Sequence, residues 1–142
     1  MRVRGLTGLL AAAAVLAPAQ AAPAASFRAH LSAPTHHPRA CHRWKITVTA
    51  RTASGRALRA TAVYKFLFRG QVVSTQYPSP RSRASCTSAA RRHSPWPFTG
   101  RFTDSTIMWP RRSVGIPLTF RVVVRVAHRG TKNLDYRVRV RR

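Results

Sequence analysis

Apolar and polar residues alternate along most of the chain from Trp44 onward. Trp44, Ile46, Val48 and Ala50 alternate with Lys45, Thr47, Thr49 and Arg51, the period of two that sends alternate side chains to opposite faces of a strand. Ser54-Gly55 marks a turn. From Leu58 to Phe68, Ala60, Ala62, Tyr64, Phe66 and Phe68 share one face, while Thr61, Val63, Lys65 and Leu67 share the other. With apolar residues on both faces, this segment is expected to be a central strand. Arg69-Gly70-Gln71 turns the chain into a further strand over 72–77. Two short strands are expected at 98–102 and 105–109, followed by a connecting loop over 110–117.

The last two segments alternate most clearly. Leu118, Phe120, Val122, Val124 and Val126 form one apolar face, and Leu134, Tyr136, Val138 and Val140 form its counterpart. Arg129-Gly130-Thr131 between them predicts a three-residue hairpin loop, with Gly130 free to take positive φ. The matching faces require an even register. A register summing to 260 pairs Val124 with Tyr136 and Val122 with Val138. It also sets Arg125 against Asp135, and Arg121 against Arg139. No helical period occurs after residue 21. Six or seven short strands separated by turns predict an all-β, antiparallel, immunoglobulin-like β-sandwich over 44–142.

Two stretches interrupt the alternation. Residues 22–43 are rich in Ala, Pro and His and read as an N-terminal arm. Residues 78–97 combine prolines, serines and arginines and read as a long loop through which no ladder can run. The beginning of the chain follows another pattern. Arg2 and Arg4 precede an apolar run over 6–17, Pro18 breaks it, and Ala19-Gln20-Ala21 supplies small residues suited to a cleavage site. The run falls short of the ~20 residues that span a bilayer. Residues 1–21 are therefore expected to be a cleaved signal peptide, and the mature chain to be extracytoplasmic, without a transmembrane segment. Export makes the two cysteines, Cys41 and Cys86, a candidate disulfide.

Charge then limits the chemistry. The 142 residues include 26 Lys or Arg against 2 acids, Asp104 and Asp135, a net charge of +24. Without Arg2 and Arg4 it is still +22. Sites that need several carboxylates, such as Ca²⁺ cages, Mg²⁺-phosphoryl sites and two-carboxylate glycosidase sites, have almost nothing to draw on. No nucleophile elbow, Gly-rich phosphate loop or His-Glu-x-x-His is present, so no enzyme and no cofactor is expected. Arg outnumbers Lys by 23 to 3, and guanidinium binds phosphate in a bidentate fork. Arg121, Arg125, Arg137, Arg139 and Arg141 all lie opposite the apolar face of the final hairpin. They form a candidate polyanion platform, although GC-rich coding would also enrich Arg on a merely solvated face. Outside the cytoplasm the candidate partners are envelope polymers, anionic lipid surfaces and extracellular DNA; intracellular nucleic acid is disfavoured.

Residues 62–73 (AVYKFLFRGQVV), 109–120 (WPRRSVGIPLTF) and 133–138 (NLDYRV) resemble segments of small secreted single-domain proteins from high-GC Gram-positive bacteria. That family is similar to immunoglobulin-like sandwiches and mostly has no assigned activity. The resemblance implies fold and export and carries no catalytic residue across. The working expectation is a secreted, non-catalytic binding or structural module of the cell envelope. One rival is a Cu- or Zn-binding protein using His36, His37 and His42, since imidazole suits both metals. Another is a protein–protein adhesion module.

Overall fold

Two sheets face one another, and the chain passes between them at Gly100. The computed structural model describes residues 26–81, 85, 86 and 93–142. The expected signal peptide over 1–21, the start of the arm and parts of the 78–97 loop lie outside the described residues. The described residues form eight strands: β1 (Phe27–Ser32), β2 (Arg43–Thr52), β3 (Arg59–Phe68), β4 (Gln71–Gln76), β5 (Trp96–Thr99), β6 (Arg101–Met108), β7 (Pro117–Val126) and β8 (Gly130–Arg139). The smaller sheet has the order β1-β2-β6. The larger runs β4-β3-β7-β8, with β5 pairing the first half of β3 on the same side as β4. All the strand pairs are antiparallel. Among the described residues there is no α-helix, and no helix is long and apolar enough to cross a membrane. The protein is an all-β sandwich.

Gly100 is bonded to both sheets. Its N–H donates to the Leu58 carbonyl, just before β3, while its carbonyl accepts from Ala50 of β2 in the other sheet. One residue thus ends pairing in the large sheet and begins it in the small one. Its φ is +70°, and a Cβ there would lie 2.7 Å from that of Ala57. Only glycine satisfies both demands without strain. The break separates β5 from β6, so the two short strands expected at 98–102 and 105–109 instead run over Trp96–Thr99 and Arg101–Met108.

The alternation seen in the sequence becomes the core. Trp44, Ile46, Val48 and Ala50 from β2 are buried against Ala60, Ala62 and Tyr64 from β3 and Phe120, Val122 and Val124 from β7. Trp44 meets Trp109 and Phe120 edge-on at centroid distances of 5.5 and 5.4 Å, and its indole N–H donates to the Thr35 carbonyl. Such edge-to-face pairs each add about 1 kcal/mol beyond area burial. A bulge between Phe66 and Leu67 shifts the β3–β4 register. Leu67 is buried outside the main core.

Three expectations are corrected. The arm is not irregular throughout, because β1 lies inside it, pairing along β2 with Phe27 opposite Thr52. Phe27, Ala29 and Leu31 do alternate with Arg28, His30 and Ser32, but small and polar residues weaken the pattern. Next to it, His36 to Ala40 lies along the end of β8: the N–H groups of Arg139 and Arg141 donate to the carbonyls of His36 and Pro38. The 78–97 loop ends sooner than expected, since Trp96 and Pro97 already belong to β5. Pro97 is tolerated because β5 is an edge strand. Finally, the β7–β8 register sums to 256, not 260. The loop is Ala127-His128-Arg129, with φ of +59° at His128, and Gly130 (φ +97°) opens β8.

Cys41 and Cys86 are disulfide-bonded, their Cα atoms 4.9 Å apart. Both lie outside the strands, so the bridge ties the long connection after β4 to the turn before β2.

Candidate anion-binding face

The outer face of the large sheet is set by its register. Across β3, β7 and β8 the rows are Thr61–Arg125–Thr131, Val63–Val123–Asn133, Lys65–Arg121–Asp135 and Leu67–Thr119–Arg137, followed by Pro117–Arg139. The core-facing positions take most of the apolar residues, with Val63, Leu67 and Val123 the exceptions, so the long basic side chains stand on the solvent side, where their charged ends stay hydrated. Six cations, counting Arg59 at the start of β3, and one acid share this surface. Of the expected platform, Arg121, Arg125, Arg137 and Arg139 occupy outward positions of β7 and β8. The platform expected from the sequence did not include Lys65, although that residue shares the outward parity of β3.

The corrected register changes which arginine is neutralised. Arg121, not Arg125, faces Asp135. The Arg121 guanidinium donates from Nε to Oδ1 at 2.6 Å and from Nη2 to Oδ2 at 2.8 Å, a bidentate fork. These hydrogen bonds hold the Asp135 carboxyl below its ordinary range and push the Arg121 guanidinium further up, against the opposing effect of desolvation. Arg125 lies opposite Thr131, and Arg139 opposite Pro117 rather than Arg121. The like-charge Arg121–Arg139 pairing expected from the sequence is therefore absent. Arg139 donates from Nε to the Gly115 carbonyl at 3.1 Å. Arg141 is exposed and lies beside Arg39 in a parallel bridge.

At the end of this face, where β3 and β8 finish and β7 begins, a groove of about 560 Å³ opens. Leu67, Pro117 and Thr119 line it, as do Arg69, Arg137 and Arg139, with His36 and His37 at its β8 side. Arg69 occupies a two-residue β3–β4 turn with Gly70, and both have positive φ, +49° and +80°. Such turns favour Asn and Gly, so an arginine there is strained by about 1 kcal/mol or more. Its guanidinium carbon sits 5.1 Å from the centroid of the Phe68 ring, a cation–π contact that holds the charge at the turn. In the sequence, Arg69-Gly70 stands out only as a turn signal. The available signal was an arginine where the turn would prefer a smaller residue.

The three histidines do not converge on one point. His36 lies flat on Tyr136 at 4.1 Å, and its Nδ1 donates to the Arg137 carbonyl at 2.7 Å. His37 is exposed, and its backbone N–H donates to Thr35 Oγ1. His42 Nδ1 bonds its own loop at the Ala40 carbonyl. Cys41 is committed to the disulfide. Among the described residues no three His, Cys, Asp or Glu side chains stand close enough to hold a metal ion, so the expected set of His36, His37 and His42 is not assembled.

Comparison with known proteins adds nothing to this geometry. No family model, curated protein or solved structure matches the chain. The functional reading therefore rests on the residues themselves.

The remaining acid has a different role. Asp104 on β6 is fully buried, and its carboxylate accepts from the Tyr64 hydroxyl (2.8 Å), the Thr106 N–H (2.8 Å) and the Thr106 hydroxyl (2.7 Å). It joins the two sheets in the interior, on the core side of β3 rather than on the basic face. Burial, then the adjacent carboxylate, push the Tyr64 phenol well above its ordinary range.

Proposed function

We propose that the protein is an exported, non-catalytic binding module of the cell envelope, built as an immunoglobulin-like sandwich, whose outer basic face holds an anionic polymer or surface. Six cations against one acid on the outer face of the β3–β7–β8 sheet carry this reading. Arg is the cation best matched to phosphate, and a face of one sign concentrates polyanions near it. The three-plus-five strand sandwich with its crossing at Gly100 supports the immunoglobulin-like assignment. The pattern of the first 21 residues supports export, and one disulfide fits an oxidising compartment.

Co-sedimentation of the protein with its own envelope fraction at two salt concentrations tests the proposal. Capture at low salt and release at high salt is expected. Capture insensitive to salt, or none at low salt, contradicts it.

A further inference from the structure

One end of the large sheet collects both cations and exposed aliphatic side chains. Val72, Val73 and Ile116 are the exposed large hydrophobic residues among those described. Val72 pairs with Leu67 beside the groove, Val73 follows it at the bulge, and Ile116 immediately precedes Pro117. Around them are Arg69, Arg137 and Arg139 of the groove, and Arg111 and Arg112, exposed in the 3-10 turn that leads to Ile116. The Gly115 N–H bonds the Val140 carbonyl, which fixes this loop to the end of β8.

We propose that this end of the sandwich docks on an anionic lipid surface, with a headgroup phosphate in the Arg69–Arg137–Arg139 groove and Val72, Val73 and Ile116 against the interfacial region. The proposal rests on the reading of the outer face as anion-binding and adds the identity of the surface. A hydrated phosphate polymer recruits the arginines but gains nothing from exposed aliphatics. A bilayer interface gains from both, since interfacial binding grows with buried apolar area and with attraction to anionic lipids. The middle of the face is a poorer site, because there Asp135 neutralises Arg121. The strained backbone of Arg69 is consistent with a residue kept at the turn for its charge.

Partitioning onto vesicles of phosphatidylglycerol and phosphatidylcholine, compared with vesicles of phosphatidylcholine alone, tests this directly. Binding is expected only to the anionic vesicles. Replacing Val72, Val73 and Ile116 together by Thr keeps the charge and β propensity, and should lower vesicle binding at least about threefold while leaving retention on phosphocellulose unchanged. Arg69→Gly relaxes the turn, so it should fold at least as well yet bind anionic vesicles about fivefold more weakly. If the Thr variant partitions like the parent, the lipid assignment is overturned, and phosphocellulose retention shows that the anion-binding face survives it. Tighter binding to soluble poly(glycerol phosphate) than to vesicles would overturn it in favour of a polymer. Failure to bind both vesicles and phosphocellulose overturns this proposal and the reading beneath it.

Discussion

The hydroxyl of Tyr64 donates to Asp104 Oδ2 at 2.8 Å across the interior, joining the central strand of the large sheet to the edge strand β6 of the small one. Both residues are almost wholly buried. An apolar sandwich core fixes spacing but tolerates sliding; a buried hydrogen bond to a carboxylate fixes the relative position of the sheets, since its loss would strand a polar group in the interior.

Removing either partner should therefore be costly. Tyr64→Phe is expected to lower unfolding free energy by about 1–3 kcal/mol. A double-mutant cycle with Asp104→Ala, read by denaturant unfolding, should give a coupling of about 0.5–3 kcal/mol. Additive effects would mean that the bond does not tie the sheets.

The same bond predicts an alkaline limit. Because the folded phenol of Tyr64 titrates above its unfolded counterpart, its contribution is complete below about pH 10 and is lost as pH rises beyond it. Absorbance near 295 nm should show the Tyr64 phenolate only together with unfolding, and Tyr64→Phe should remove that component. Ionisation of Tyr64 in the folded protein would contradict its burial.

Gly100→Ala should destabilise by about 1–3 kcal/mol, from the positive φ and the 2.7 Å approach to Ala57. Gly70→Ala shares the positive φ but meets nothing within 4 Å, so it should cost less. Thermal unfolding of the two variants separates the steric term from the conformational one.

Reducing the Cys41–Cys86 bond should cost about 4 kcal/mol by the chain-entropy argument for a 45-residue separation. Thermal unfolding with and without reductant measures it. An unchanged midpoint would mean that the connection after β4 is already restrained by other contacts.

Much of this architecture was legible from period two alone. Faces of β2, β3, β7 and β8 follow directly from it, because every register of even sum keeps Val122 and Val124 in the core. What alternation cannot choose is which even register forms. Gly130 invites a loop centred on itself, yet the chain turns at His128, using the left-handed conformation there, and moves the partner of Asp135 by four residues. Strand β1 escaped because Ala29 and His30 carry little hydrophobic contrast. The groove escaped because it joins Arg69, Thr119, Arg137 and His36, which are distant in sequence and adjacent only through the order β3-β7-β8 and the segment beside it.

Asp135→Asn should release Arg121 and strengthen retention on phosphocellulose, whereas Arg121→Gln should weaken it less than Arg137→Gln. The fork to Asp135 accounts for both outcomes. Because the folded Asp135 carboxyl titrates below its unfolded value, the pair's stabilisation is complete above the ordinary carboxylate range and is lost as pH falls below about 4. With both partners substantially exposed, the stability effect should be small, so the readout is retention. Equal losses for the two arginine variants would contradict the observed pairing.

The basic outer face is tested most directly by the salt dependence of retention on phosphocellulose for two charge-matched triple variants. Arg125, Arg137 and Arg139 changed to Gln remove three cations from the proposed face; Arg28, Arg43 and Arg101 changed to Gln remove three exposed cations from the small sheet. The first variant should lose up to about three units of slope in log affinity against log salt, and the second little. Identical slopes would show that retention reflects net charge alone and would contradict a dedicated binding face.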